Sequence, residues 1–194
     1  MNYLALGDSY TVGESIFTKD SFPFQLETLF LNHNITTESI KVIAQTGWTS
    51  DELLAGINKA EFNCIYDLIT ICIGVNNQYR SYQISQFEVD LNTILDICEQ
   101  LISQNGRIVL VSIPDYGITQ YGKKNGDPRT ISKDILEYNA CIKSIGRQRG
   151  HHYVDIYEHS KLAEIDHLLI AKDGLHPSKI MYKYWAEKIF EKLK

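Results

Sequence analysis

This 194-residue sequence lacks long apolar runs, an excess of basic residues and closely paired cysteines. Its apolar runs fall well short of the ~20 residues that cross a bilayer, so we expect no stable membrane insertion. Residues 1–6 have no basic start and are too short for a signal sequence, which predicts a cytoplasmic location. The 19 basic and 24 acidic residues give a net charge of −5, which argues against nucleic acid as the main partner.

Cysteine is scarce, and none of the four cysteines belongs to a CxxC pair. We therefore expect no structural zinc site. Cys72 and Cys98 lie inside apolar segments and are predicted to be buried, reduced thiols. Apolar residues make up 44% of the chain and no repeat divides it, which favours one globular domain over residues 1–194. The sequence carries no signal for an oligomeric state.

Short apolar segments alternate with segments of helical period along the chain. The predicted strands are residues 3–6, 39–44, 68–73, 107–112 and 152–156. The predicted helices are residues 22–31, 50 to about 60, 87–102, 131–145 and 181–193. Ser21 is placed to cap the first helix, Thr49 and Glu52 fit a capping box at the second, and Asn105-Gly106 is predicted to end the third. Residues 113 to about 130, which contain several glycines and prolines, are predicted to form a long loop.

This alternation, with nearly continuous apolar strands, indicates an α/β fold in which helices cover both faces of a parallel sheet. Ligands of such sheets bind at the carboxyl ends of the strands. Reactive groups are therefore expected in the segments that follow residues 6, 44, 73, 112 and 156.

Two of these segments combine glycine with hydroxyl side chains. Residues 7–11 read GDSYT, which fits either a tight turn held by local hydrogen bonds or a nucleophile, Ser9, presented at a strand end. Residues 45–49 read QTGWT, which fits either a turn before a capped helix or an N–H of Gly47 that a substrate oxygen can approach closely.

Two further segments carry amide, carboxylate and imidazole groups. Residues 74–77 read GVNN, and an asparagine there is either a loop former or a donor to an oxyanion. Asp173 and His176 are three apart, so one short loop can bring the carboxylate to one ring nitrogen and leave the other for a serine. Alternatively, Asp173 and His176 belong only to the start of the last helix and have no catalytic role. The other histidines are predicted to be surface or strand-edge residues: His33, His151, His152, His159 and His167.

The four motifs, in this order at predicted strand ends, resemble the SGNH hydrolases, also called GDSL esterases and lipases. The resemblance runs from Gly7 to Pro177 and so covers nearly the whole chain. It implies a flavodoxin-like, three-layer α/β/α sandwich, formed by a single SGNH hydrolase domain. It also implies hydrolysis of ester or thioester bonds, with no metal or organic cofactor.

The resemblance assigns a role to each matched residue. Ser9 is the expected nucleophile, His176 the base that takes its proton, and Asp173 the carboxylate that holds the imidazole. The expected oxyanion hole consists of the Ser9 N–H, the Gly47 N–H and the side chain of Asn76.

Two positions depart from the family pattern. Tyr10 stands where leucine or isoleucine is common, and Asn77 stands where the family usually has aspartate. Any charge-based support from that aspartate is therefore absent or supplied by another residue. Neither change affects the groups that are expected to carry the chemistry.

The expected partner is a small-molecule ester. The segment 113–130 carries tyrosines, lysines and glycines but few aliphatic side chains, which favours a short acyl group over a long chain that would need an apolar groove. The aromatic residues near the candidate site either line it or anchor loops: Trp48, Tyr79, Tyr82, Tyr116 and Tyr121. The alternatives are a lysophospholipase, a thioesterase or an acyltransferase with the same triad, and a non-catalytic flavodoxin-like binding module.

Overall fold

Five strands and nine α-helices make up the fold in the computed structural model, which describes residues 1–194. The strands are β1 (Asn2–Gly7), β2 (Ser39–Ala44), β3 (Tyr66–Cys72), β4 (Ile102–Val111) and β5 (His152–Val154). The helices are α1 (Ser9–Val12), α2 (Phe22–Asn32), α3 (Ser50–Lys59), α4 (Val75–Tyr79), α5 (Ile84–Leu101), α6 (Gln120–Asn125), α7 (Pro128–Gln148), α8 (Tyr157–Ser160) and α9 (Lys179–Leu193). Short 3-10 turns cover Thr18–Asp20, Lys161–Glu164 and His167–Leu169.

All five strands lie parallel in one sheet of order β2-β1-β3-β4-β5. β1 and β3 are buried along almost their full length, as expected for strands covered on both faces. Helices α2 and α9 pack against each other, while α3, α5 and α7 form a second contiguous group. The predicted α/β fold with a parallel sheet is confirmed. None of the helices is both long and apolar enough to cross a membrane.

The strand order creates one crevice at the carboxyl edge of the sheet. β1 lies between β2 and β3, so the chain crosses from β1 to β2 in one direction and then passes back over β1 to reach β3. In folds of this type, ligands bind outside the carboxyl ends of the strands at this reversal. Ser9 directly follows β1 and Asn76 follows β3, so both residues stand beside the crevice.

Capping residues explain where α3 and α9 begin, but not where α2 begins. Thr49 and Glu52 form the predicted capping box of α3, and the Glu52 carboxylate accepts the Thr49 N–H at 2.9 Å. Ser178 caps α9 by accepting the N–H of Ile180 at 3.2 Å. Ser21 does occupy the N-cap position of α2, but its predicted capping bond is wrong. Its hydroxyl donates instead to the carbonyl of the preceding 3-10 turn.

The predicted end of α5 and the predicted loop over residues 113–130 are also wrong. Helix α5 ends at Leu101 rather than at Asn105-Gly106, because Ile102 already pairs with Tyr66 of β3 at the start of an irregular strand. The segment 113–130 is not a structureless loop, since it contains α6 and the first turn of α7. Thr119 and Asp127 cap these two helices, and their signals are hidden among the neighbouring glycines.

Candidate active site

Ser9 occupies the first position of α1, directly after β1 and a one-residue link. A side chain on Gly7 would collide with the carbonyl oxygen of Cys72, so the chain passes close to β3 only because residue 7 is glycine. Asp8 then caps α1, its Oδ1 accepting the N–H of Tyr10 at 2.9 Å. This strand–turn–helix geometry holds the Ser9 hydroxyl at the carboxyl edge of the sheet, as the sequence predicts.

Asp173 and His176 lie on the loop that leads into α9. Asp173 Oδ1 accepts the N–H groups of Leu175 at 2.9 Å and His176 at 3.0 Å, which closes the loop into a tight turn. Asp173 Oδ2 lies 2.6 Å from His176 Nδ1, and His176 Nε2 lies 3.0 Å from Ser9 Oγ. A carboxylate only accepts hydrogen bonds, so Nδ1 carries a proton and Nε2 can accept one from the hydroxyl. The structure thus joins three of the predicted residues in one hydrogen-bonded chain.

Two carboxyl groups of this region have opposite pKa shifts. Partial burial acts to raise the pKa of Asp173, but hydrogen bonds from Ser15, His176 and the backbone lower it to about 2. Asp173 is therefore ionised at neutral pH and favours positive charge on the imidazole beside it. Complete burial raises the pKa of Asp8 to about 7, and its Oδ2 has no hydrogen-bond partner. Asp8 thus caps α1 through Oδ1, while its burial disfavours the charged form of the carboxyl group.

The predicted oxyanion donors face the same space as Ser9. Gly47 has a φ of 88°, a left-handed conformation that favours glycine, and its N–H donates to no other group. The Asn76 Nδ2 atom donates one hydrogen to the carbonyl of Trp48 at 2.9 Å and keeps a second for another acceptor. Ser9, Gly47, Asn76 and His176 all line one open cavity of about 140 Å³.

Asn77 belongs to a buried polar network rather than to the cavity. Its Oδ1 accepts the N–H of Ser50 at 2.9 Å, and its Nδ2 donates to the Ser50 hydroxyl at 2.7 Å. That hydroxyl donates in turn to Asp90 at 2.6 Å, and Gln86 donates to the other oxygen of Asp90 at 2.8 Å. Ser50 has a single hydroxyl proton and gives it to Asp90, so its oxygen needs a donor from position 77. An amide supplies that donor and a carboxylate does not, so all polar atoms are satisfied only with an amide at position 77. The carboxylate of this network is supplied by Asp90, while position 77 supplies an amide.

We expect Asn77→Asp to lower the free energy of unfolding by about 2–4 kcal/mol, because two buried carboxylates would compete for one hydroxyl proton. Adding Asp90→Asn should restore most of the loss, since the donor and acceptor then merely exchange places. Urea unfolding at pH 7 measures both variants, with Asp90→Asn alone completing the cycle. Equal stability of Asn77→Asp with and without Asp90→Asn would contradict this account of the network.

Three of the five aromatic residues singled out in the sequence line the cavity, namely Tyr79, Tyr116 and Tyr121. Trp48 instead packs against Gly56 of α3, and the Tyr82 side chain lies outside the cavity. Cys72 and Cys98 are buried and free, as predicted. The remaining histidines lie away from the cavity and are partly or fully exposed: His33, His151, His152, His159 and His167.

The structure also reveals contacts that the sequence reasoning missed. Tyr10 is buried, and its ring lies edge-on to His176 at a centroid distance of 5.8 Å, so the larger residue supports the imidazole. Arg80 Nη2 donates to the carbonyl of Gly47 at 2.7 Å and thereby fixes the peptide next to the free N–H. Ser15 donates to Asp173 at 2.6 Å. No sequence spacing signals these partners, which are 33 to 166 positions apart.

A serine, histidine and aspartate joined by hydrogen bonds, beside free N–H donors on a parallel sheet, are typical of serine-dependent hydrolases. Residues 5–184 match the model of the GDSL-like Lipase/Acylhydrolase family. The chain therefore belongs to this family, which is that of the SGNH hydrolases. The resemblance drawn from the four motifs is confirmed.

Known proteins of this kind are similar to the chain in sequence or fold. A multidomain esterase of Ruminococcus flavefaciens is 31% identical over 131 residues, which is 63% of this chain and only 15% of that protein. A lipase/acylhydrolase from Enterococcus faecalis has a TM-score of 0.78 at 18% identity, covering 98% of this chain and 93% of its own. A catalytic mutant of an acetylxylan esterase from Geobacillus stearothermophilus has a TM-score of 0.74 at 18% identity, covering 99% and 93%.

Proposed function

We propose that this protein is a serine esterase that hydrolyses small carboxylic esters with short acyl groups. The observation that carries the proposal is the chain from Ser9 Oγ through His176 to Asp173, at the wall of a cavity that the Gly47 N–H and the Asn76 amide also line. These groups are the nucleophile, the base with its orienting carboxylate, and the oxyanion donors that acyl transfer requires.

In this mechanism His176 Nε2 takes the proton of Ser9 as the hydroxyl attacks the acyl carbon. The ionised Asp173 holds the Nδ1–H tautomer and stabilises the imidazolium that forms. The N–H groups of Ser9 and Gly47 and the free N–H of Asn76 bind the tetrahedral oxyanion. His176 then protonates the departing alcohol. Water next attacks the acyl-enzyme as His176 takes its proton, and His176 returns that proton to Ser9 as the carboxylic acid leaves.

The size of the cavity supports a short acyl group. A volume of about 140 Å³ is close to that of a cavity that holds one benzene molecule (about 150 Å³). Tyr79 and Tyr121 form one side of the cavity, and their hydroxyl groups share a hydrogen bond of 2.9 Å. Tyr116 also lines the cavity and donates a hydrogen bond to Gln78 at 2.7 Å. The aliphatic residues before Asp173 do not extend the cavity, since none of residues 168–170 lines it. The similarity to an acetylxylan esterase agrees with an acetyl-sized group.

A series of p-nitrophenyl esters from two to sixteen carbons tests this specificity. We expect kcat/KM to be highest from acetyl to butyryl and to fall beyond about eight carbons, because further methylenes find no apolar surface to cover. Tyr121→Ala should move the optimum to longer chains by removing part of the wall. Tyr121→Phe keeps the ring and should keep the optimum. A maximum at twelve carbons or more in the unmodified protein would contradict the short-acyl proposal.

A further inference from the structure

The turn that follows α1 contacts both halves of the candidate active site. It comprises Gly13, Glu14 and Ser15, and we call it the 13–15 turn. On one side the Ser15 hydroxyl donates to Asp173 Oδ2 at 2.6 Å. On the other side the Glu14 carboxylate accepts a hydrogen bond from Thr46, which lines the cavity next to Gly47. The segment that carries the nucleophile is thereby tied to the carboxylate loop and to the oxyanion loop.

Ser15 binds the same Asp173 oxygen that faces His176 Nδ1, also at 2.6 Å. The other carboxylate oxygen is held by two N–H groups of its own loop. Ser15 is therefore the only hydrogen-bond donor to Asp173 from outside residues 173–176. Among the interactions that lower the pKa of Asp173, against the raising effect of burial, the Ser15 hydrogen bond is the largest.

Ser15 makes this contact from a strained backbone conformation. Its φ is 67°, in the left-handed region that glycine adopts freely and serine does not. Such strain is commonly retained where the side chain serves the site. Ser81, two residues after α4, has a similar φ of 57°, but its hydroxyl makes no hydrogen bond and it lies outside the cavity. The chain thus offers a matched serine with the strain and without the contact.

We propose that Ser15 is a positioning residue that orients the Asp173 carboxylate toward His176 and couples it to the segment carrying Ser9. This inference rests on the proposed Ser9–His176–Asp173 mechanism. Ser15 does not line the cavity, so its removal should slow the chemical steps and leave substrate binding unchanged. The contact is solvent-exposed, and water can replace part of the hydrogen bond, so the expected effect is moderate.

The decisive variants separate the hydroxyl group from the backbone strain. Ser15→Ala and Ser15→Gly both remove the hydroxyl, and each should lower kcat about fivefold with an unchanged KM. Ser15→Gly should nevertheless have a higher Tm than Ser15→Ala, because glycine relieves the strain. Ser15→Thr keeps the hydroxyl, and should keep more activity than Ser15→Gly in spite of a lower Tm. The control Ser81→Gly should raise Tm and leave kcat unchanged.

Wild-type kcat in both Ser15→Ala and Ser15→Gly would overturn the inference. Activity that follows Tm across the Ser15 variants would overturn it as well, because that pattern indicates a purely structural role. Ser9→Ala distinguishes this failure from that of the proposed function. If Ser9→Ala is inactive while Ser15→Gly is fully active, only the role of Ser15 is refuted; an active Ser9→Ala variant refutes the mechanism itself.

Discussion

Replacing Ser9 with alanine is expected to lower kcat by about 10⁶, the size of the loss found when the nucleophile of a serine protease is removed. The Ser9 hydroxyl makes its side-chain hydrogen bond only to His176, at 3.0 Å. The substitution therefore removes the attacking oxygen without breaking a structural contact, and the fold and Tm should be preserved. Steady-state hydrolysis of p-nitrophenyl acetate, with thermal unfolding in parallel, measures both effects.

Covalent labelling identifies the nucleophile independently of turnover. A serine-directed phosphonate should add one label to the wild type and none to Ser9→Ala, as seen by intact mass spectrometry. Ser85→Ala, which alters an exposed serine outside the cavity, should still be labelled to the same extent as the wild type. Equal labelling of Ser9→Ala and the wild type would show that another residue attacks the substrate.

The candidate site could be located from the sequence because parallel strands present their carboxyl ends at one edge. Buried strands are recognisable as continuous apolar runs, so the segments that follow them can be inspected for reactive groups. Ser9 and Asn76 lie in the segments that follow two such strands, and the order of the strands places β1 beside β3. Asp173 and His176 were predictable as a pair because a turn of three residues is enough to join them.

The supporting contacts could not be predicted, because their partners are distant in sequence and follow no periodicity. Ser15 and Asp173 are 158 positions apart, and Ser50 and Asp90 are 40 apart. The Asn77 network adds a second difficulty. The departure from the family aspartate is visible in the sequence, but the carboxylate that joins Asn77 and Ser50 in the network lies on a different helix, α5.

The errors in the secondary-structure prediction also have physical causes, namely strand pairing and helix capping. Strand pairing with β3 overrides the helical period at Ile102, so the strand begins immediately after α5. Thr119 and Asp127 start helices within a segment whose glycines favour a loop. The consequence for function is direct, because α6 carries Tyr121 to the wall of the cavity. Part of the segment predicted as a loop is therefore a helix that contributes to the site.

The side chain of Asn76 is expected to contribute a factor of about 10²–10³ to kcat, equivalent to about 2.7–4 kcal/mol of transition-state stabilisation. Its Nδ2 atom donates one hydrogen to the Trp48 carbonyl at 2.9 Å, and its second hydrogen has no partner within the protein. Because that hydrogen bond is strongest to an oxyanion, Asn76→Ala should lower kcat and leave KM nearly unchanged. The Tm of this variant should stay close to that of the wild type.

Asn77→Ala is the matched control, because it truncates the neighbouring amide of the same segment. Asn77 is fully buried and makes two hydrogen bonds to Ser50, so its loss should destabilise the protein by at least about 2 kcal/mol. At a temperature where both variants are folded, kcat should fall much more in Asn76→Ala than in Asn77→Ala, while the order of Tm values is reversed. A larger loss of kcat in Asn77→Ala would mean that position 77 supplies the oxyanion donor, and would shift the assigned motif by one residue.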